Sequence, residues 1–262
     1  MQNYVNIILS SKGGVGKTFV ACYLFEFLTA LKKQQTILID TDTSNQYLRN
    51  TAYYKAQDVD FKDKSGVITP KNVVQIAERW GKNNLVIDVG ANSYWPWIKY
   101  LSEMDGIDDL ETFGSKVLLH VILIGGIQFK ETLACLKEVV NLNLNCDIVV
   151  HINNGYAEDD SNLLPKAEDL LAREEFNDIR DKLKYVVELP RCIVTNRELV
   201  DELKKNNIAL TQMTDATSAD KKKLIPILGT ADRVDIFQGR AIRYRKKIFE
   251  ALEKLNPLYD IE

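Results

Sequence analysis

The segment Ser11-Lys12-Gly13-Gly14-Val15-Gly16-Lys17-Thr18 follows the apolar run Val5–Leu9 and opens a stretch of helical periodicity. A turn this rich in glycine lets successive backbone amides point inward and form a nest for an anion. The helix that follows adds its positive end and its free amides. Lys17 brings charge to β- and γ-phosphates, and the Thr18 hydroxyl suits a magnesium ion beside them. Phosphate binding is the chemistry these residues can do together. Two acidic segments, Leu38-Ile39-Asp40-Thr41-Asp42 and Leu85-Val86-Ile87-Asp88-Val89-Gly90, each put carboxylates at the end of an apolar run. In an open parallel sheet, strand ends face the ligand crevice. Asp88 is expected to hold magnesium through water, and Gly90 to leave room for a γ-phosphate. An Asp-x-Asp alone is ordinary turn chemistry, so its weight comes from the phosphate loop beside it.

The strict pattern G-x-x-x-x-G-K-[ST] is not met, because Ser11 stands where the first glycine belongs. The run Lys-Gly-Gly-Val-Gly-Lys-Thr, with its extra early lysine, closely resembles the deviant-Walker ATPases of the ParA/MinD family. That resemblance implies an ATPase with ATP and magnesium as cofactors and an ATP-dependent homodimer. It implies that Lys12 crosses the dimer interface to the phosphates of the other subunit, acting like an arginine finger. It assigns Asp40 to the outer shell of the metal and Asp42 to the attacking water. The expected catalytic residues are thus Lys12, Lys17 and Asp42, with Thr18, Asp40 and Asp88 at the metal. Gly13, Gly14, Val15, Gly16, Lys17 and Thr18 are expected to bind the nucleotide. The resemblance adds Asn153 as a reader of adenine and Pro190 as a lining of the base pocket. Thr43-Ser44 departs from the Pro-Gln common in the family at this place.

Shorter stretches, Asp40-Thr41-Asp42 with Asn45, Gly90-Ala91-Asn92-Ser93 and Gly125-Gly126, look like the TraL-type ATPases of conjugative plasmids. Two functions stay open. One is an ATP-switched dimer serving plasmid conjugation or partition through a partner protein, reset by slow hydrolysis. The other is a small-molecule ATP-dependent ligase or kinase on the same fold. Lys12 favours the first. An electron-transfer ATPase would need paired cysteines to bridge a cluster, and Cys135 and Cys146 have no convincing setting for that.

The elements that must position these residues alternate along the chain. Apolar runs at Val5–Leu9, Thr36–Ile39, Leu85–Ile87, Val117–Ile124, Ile148–Ile152 and Tyr185–Leu189 read as strands covered on both faces. Helices are predicted near 18–32, 70–81, 127–142, 166–183 and 196–206, and from Val234 to Leu255, before Asn256-Pro257. The pattern predicts an α/β fold, a single doubly wound, mostly parallel sheet flanked by helices, as one P-loop domain over 1–262. Two loops are expected. Asn153–Pro165 contains Gly155 and Asp159-Asp160, and Thr211–Lys223 is polar and expected to be mobile.

Composition agrees with a soluble globule: 262 residues, 45% apolar and 27% charged, with a net charge of −3. That charge gives no bulk attraction to nucleic acid. Arg240, Arg243, Arg245, Lys246 and Lys247 crowd what is read as the start of the last helix and could contact DNA phosphates. Ile242, Phe249, Leu252 and Leu255 lie at helical spacing, which favours a helix docked on the body with its basic face in water. Four scattered cysteines without a C-x-x-C pair argue against zinc and disulfide frameworks. His120 and His151 lie inside apolar runs and read as core residues. Trp95 and Trp97 could form a partner face, although burial is the commoner fate of tryptophan. Nothing ahead of the first strand suggests a helix-turn-helix or a signal peptide, and no run approaches the ~20 apolar residues of a membrane span. A cytoplasmic location is expected.

Overall fold

The strand Asn3–Leu9 (β1) is buried along six of its seven residues, and its side chains divide between two cores. Tyr4 and Ile8 face one, while Val5, Ile7 and Leu9 face the other. A strand covered on both faces is apolar at nearly every step rather than at every second one, and the buried Asn6 is the exception within β1. Full burial of each such side chain contributes about 1.5–3 kcal/mol.

In a computed structural model of the chain, residues 2–31, 35–42, 47–80, 82–112, 114–155 and 162–259 are described. Helix α1 (Lys17–Glu26) follows β1 and ends in a π turn, Phe27–Leu31. Then come β2 (Thr36–Asp40), α2 (Tyr47–Asn50), β3 (Gln57–Asp58), α3 (Pro70–Trp80) and β4 (Asn84–Asp88). After a short 3₁₀ turn come α4 (Tyr94–Glu103), α5 (Gly106–Glu111), β5 (Ser115–Leu123), α6 (Phe129–Asn141) and β6 (Asp147–Asn153). The chain finishes with α7 (Ala167–Leu171), β7 (Tyr185–Leu189), α8 (Val194–Lys205), α9 (Leu210–Thr214), α10 (Ser218–Leu228) and α11 (Ala231–Leu252).

The sheet order is β3-β2-β4-β1-β5-β6-β7, and every pairing between these strands is parallel. Helices α1, α8, α9 and α11 cover the Tyr4 face, and α3 to α7 cover the Val5 face. The doubly wound α/β architecture predicted from the apolar runs is the one found. Chain order leaves β1 towards β4 and β2 on one side and β5 on the other, which puts the switch point at the end of β1. Ligand crevices of open α/β sheets form at such points. Asp40 and Asp88 are register partners on β2 and β4, so both carboxylates arrive at the same level beside the end of β1.

Some expectations are corrected. The helix expected over 166–183 ends at Leu171, and two 3₁₀ turns follow at Glu174–Phe176 and Arg180–Lys182. The Arg180 guanidinium donates to the carbonyls of Leu171 and Arg173, taking over bonds that a continued helix would have made. The polar stretch 211–223 is largely helical rather than a mobile loop. Leu210 and Met213 are buried, and the Thr211 hydroxyl donates at 2.6 Å to Glu26, a fully buried carboxylate that also accepts from Tyr54. Thr217 and Asp220 then form a reciprocal capping box that starts α10. Of the 153–165 loop, Asn154 exchanges two hydrogen bonds with Leu164. Asp159-Asp160, like Thr43-Ser44 and Asn45, lies outside the described residues.

The last helix starts at Ala231, so the five basic residues lie in its middle rather than at its start. Arg240 pairs with Glu198, and Arg245 with Asp215, while Arg243, Lys246 and Lys247 remain exposed. Phe249, Leu252 and Leu255 are buried as expected, whereas Ile242 is 50% exposed. Trp97 is buried against Phe61 and cannot offer a partner face, and Trp95 is exposed. Among the described residues no helix is long and apolar enough to cross a membrane.

Candidate functional site

The loop between β1 and α1 turns through two glycines with positive φ, Gly14 at 76° and Gly16 at 99°. L-residues with a side chain rarely adopt these values, so the turn requires glycine there. Gly16 is also the N-cap of α1, and no side chain caps the helix among the described residues. Gly16, Lys17 and Thr18 put the start of α1 on the wall of a cleft, where an anion is the natural partner. Val15 is fully buried and anchors the loop to the core beneath it. Its carbonyl accepts from Asn153 Nδ2 at 3.0 Å, while Asn153 Oδ1 accepts from the Gly155 amide at 2.9 Å. Asn153 thus ties the end of β6 to the phosphate loop.

Lys17 is 7% exposed, and its Nζ donates to the Lys12 carbonyl at 2.9 Å, bending the side chain back over the loop. Burial lowers its pKa, and the carboxylates of Asp88 and Asp42 act against that shift. The Thr18 hydroxyl donates to Asp88 Oδ2 at 2.7 Å. Asp88 is buried and its Oδ1 has no hydrogen-bond partner among the described residues. Its pKa is pushed up to about 7, first by burial and then by Asp40 and Asp42, with Thr18 and Lys17 opposing. A buried carboxylate oxygen without a partner, beside a threonine hydroxyl, fits a magnesium ion and its water shell. Thr18 and Asp88 would hold that ion. A bound divalent cation would neutralise the charge that burial penalises.

Asp40 sits 1% exposed and its pKa rises to about 6 through burial. Its Oδ1 accepts from the Asp42 amide at 2.9 Å, and its Oδ2 lies 3.3 Å from Arg49 Nε. Arg49 also reaches Asp58 Oδ1 at 2.9 Å and the Asp42 carbonyl at 3.2 Å, so one guanidinium joins α2, β3 and the end of β2. Thr41 clamps the two strand ends from the other side. Its amide and hydroxyl both donate to the Asp88 carbonyl, at 3.1 and 3.0 Å, and its oxygen accepts from the Gly90 amide. A Cβ at Gly90 would meet Asp42 atoms at 3.1–3.2 Å. The absent side chain at Gly90 thus leaves room for Asp42 at the end of β4.

The phosphate loop and Asp42 line one cleft, and Asp40 and Asp88 are not part of its wall. Gly13, Gly14, Gly16, Lys17, Thr18 and Asp42 form most of its wall, with Ala91 and Asn92 from the segment after β4. Phe19, next to Thr18, separates it from an apolar pocket that holds Tyr23, Asn153, Leu189, Pro190 and Tyr244. The structure therefore brings Asn153 and Pro190 together beside the phosphate loop. It leaves Lys12 apart. The Lys12 side chain is half exposed at the mouth of the loop and pairs with Glu131 on α6. Arg49, Thr41 and Lys204, the last reaching the same cleft from α8, carry no sequence signal of their own. Their place follows from how α2, β2 and α8 pack.

The chain is similar to known proteins. The model of the CobQ/CobB/MinD/ParA nucleotide-binding domain matches residues 6–258. Two proteins named TraL from Escherichia coli are similar, one 25% identical over 152 residues, or 57% of this chain, and one 28% identical over 134 residues, or 50% of it. Those matches span 62% and 54% of the two relatives' own lengths. Among solved structures, the MinD cell division protein of Aquifex aeolicus is 18% identical and covers 90% of this chain and 97% of its own, with a TM-score of 0.47. MinD of Pyrococcus horikoshii, solved with Mg-ADP, is 14% identical over 92% of this chain and 99% of its own, with a TM-score of 0.46. The phosphate loop at the switch point and a family match over nearly the whole chain lead to one conclusion: the chain belongs to the CobQ/CobB/MinD/ParA family of nucleotide-binding domains.

Proposed function

We propose that the protein is an ATPase whose ATP-bound form is a homodimer, and that this dimer is a switch in plasmid conjugation or partition, working in the cytoplasm with a partner protein. The observation that carries the reading is the pair of lysines around one loop: Lys17 is buried against the loop, while Lys12 projects from its mouth. A monomeric phosphate site has use for the first alone. The second has its charge at the surface, where a second subunit could meet it.

In this reading the loop amides and the first turn of α1 bind the phosphates, and Lys17 leaves the Lys12 carbonyl to join them. Magnesium supplies charge neutralisation at the phosphates, with Thr18 and Asp88 as its protein partners and Asp40 in the outer shell. Asp42, held at the cleft edge by its close fit to Gly90, orients the attacking water. Lys12 adds its charge only when two subunits close, which couples hydrolysis to assembly. Asn153 and Pro190 line the pocket for the base. Resemblance to TraL proteins supports the plasmid setting. Titration of the purified chain with a fluorescent ATP analogue tests the foundation of the reading. Binding should need magnesium and vanish in Lys17→Ala, and unaltered affinity in that variant would overturn it.

A further inference from the structure

We infer that Asn153 is a positioning residue: it fixes the peptide between Val15 and Gly16 in the orientation that binds phosphate, and it does not read the base. The inference rests on the cleft being the nucleotide site proposed above. Asn153 ends β6 and is 6% exposed. Its carboxamide is engaged by backbone at both ends. Nδ2 donates to the Val15 carbonyl at 3.0 Å, and Oδ1 accepts from the Gly155 amide at 2.9 Å. These partners settle which end is which, since a carbonyl can accept but not donate and a backbone amide can donate but not accept. A Cβ at Gly155 would meet Oδ1 at 2.9 Å, so the glycine lets the chain close on this oxygen. A carboxamide turned towards a base edge would give up these bonds and leave a buried carbonyl without its donor.

The conformation of the loop gives this contact a purpose. Gly14 and Gly16, at φ of 76° and 99°, stand on either side of Val15. Glycine accepts either sign of φ, so the backbone itself offers little resistance to a flip of the Val15–Gly16 peptide. In a trans peptide the carbonyl and the following N–H point in opposite directions. With the Val15 carbonyl drawn to Asn153, the Gly16 amide points away from it, and Gly16 is the N-cap of α1 on the wall of the cleft. A flipped peptide would exchange that donor for a carbonyl oxygen, which repels phosphate. The base needs no carboxamide to be held. The pocket that Asn153 borders has Phe19, Tyr23, Leu189 and Pro190 among its walls, which can take a base by burial and stacking.

Two variants test this. Asn153→Ala removes both contacts, and Asn153→Asp keeps the shape and the acceptor for Gly155 but removes the donor to Val15. Affinities for ATP, GTP and inorganic tripolyphosphate, which carries no base, would be measured with magnesium, alongside wild type and Lys17→Ala, with thermal melts to check folding. Asn153→Ala is expected to bind all three about tenfold more weakly. In both variants the ratio of ATP to GTP affinity should stay within about twofold of wild type. If Asn153→Ala does not fold, a loss in Asn153→Asp with that ratio unchanged carries the same result. A changed ratio makes Asn153 a reader of the base and overturns the inference. Weaker nucleotides with tripolyphosphate unaffected, or no loss at all, overturn it equally while Lys17→Ala still loses binding. If Lys17→Ala binds as wild type does, the reading of the whole cleft fails instead.

Discussion

Lys12 Nζ lies 2.8 Å from Glu131 Oε2, so the lysine at the mouth of the phosphate loop is paired with the first turn of α6 in its own chain. The two side chains are 41% and 54% exposed, and a pair that wet contributes only about 0–1 kcal/mol. Such a contact can hold Lys12 aside without preventing its transfer to a phosphate on a second subunit.

Removing the partner should therefore favour assembly slightly. Glu131→Ala is expected to leave ATP affinity unchanged and to lower the ATP concentration needed for dimerisation by up to about fivefold, the limit set by an exposed pair. Sizing by light scattering during an ATP titration reads this directly. A variant that no longer dimerises would mean that Glu131 belongs to the interface instead.

Asp42 and Asp40 should separate by phenotype. With Asp42 orienting water, Asp42→Ala slows turnover by roughly 10²–10⁴-fold while affinity for ATP holds, because the lost contact belongs to the transition state. Asp40→Ala should weaken magnesium-dependent binding itself. It also leaves Arg49 without its buried partner at the end of β2. Normal hydrolysis by Asp42→Ala, or equal loss of binding in both, contradicts this division of labour.

A third prediction concerns the core. His120 Nδ1 and His151 Nε2 are 2.9 Å apart, and His120 Nε2 is 3.0 Å from Asn6 Oδ1, which also accepts from Tyr259. Burial pushes both rings well below the usual histidine range, His151 to about 3, with each neutral at physiological pH. Depressed bases contribute stability that is complete above the unfolded value near 6.5 and is lost as pH falls below it. Asp88 and Asp40, raised by burial, act in the opposite sense over the same range, so a bulk unfolding curve mixes the two. Ring resonances of the two histidines are the clean readout. They should not titrate between pH 8 and 5, and a midpoint near 6.5 in either would contradict the buried pair.

The phosphate loop and the strands were legible because their constraints are local. Gly14 and Gly16 sit at positive φ, and a strand covered on both faces is apolar at most of its positions. Strand β3 has two residues and no apolar run, so no pattern could announce it. The segment from Leu210 to Leu228 is polar on average, yet its helices depend on a few buried side chains and on the Thr217–Asp220 cap. Roles fixed by tertiary approach were the least visible. Gly90 answers to Asp42, Asn153 to the Val15 carbonyl, and Lys204 to the Phe19 ring, each across a gap in sequence that no motif spans.

The central claim is that Lys12 acts on a second subunit. Lys12→Ala should bind ATP as a monomer with affinity close to wild type, since Lys17 and the loop amides remain. Light scattering on that variant with saturating ATP and magnesium should give the mass of a single chain, while wild type gives a dimer, and hydrolysis should be lost with the dimer. A Lys12→Ala protein that still dimerises on ATP and hydrolyses at the wild-type rate would contradict the account.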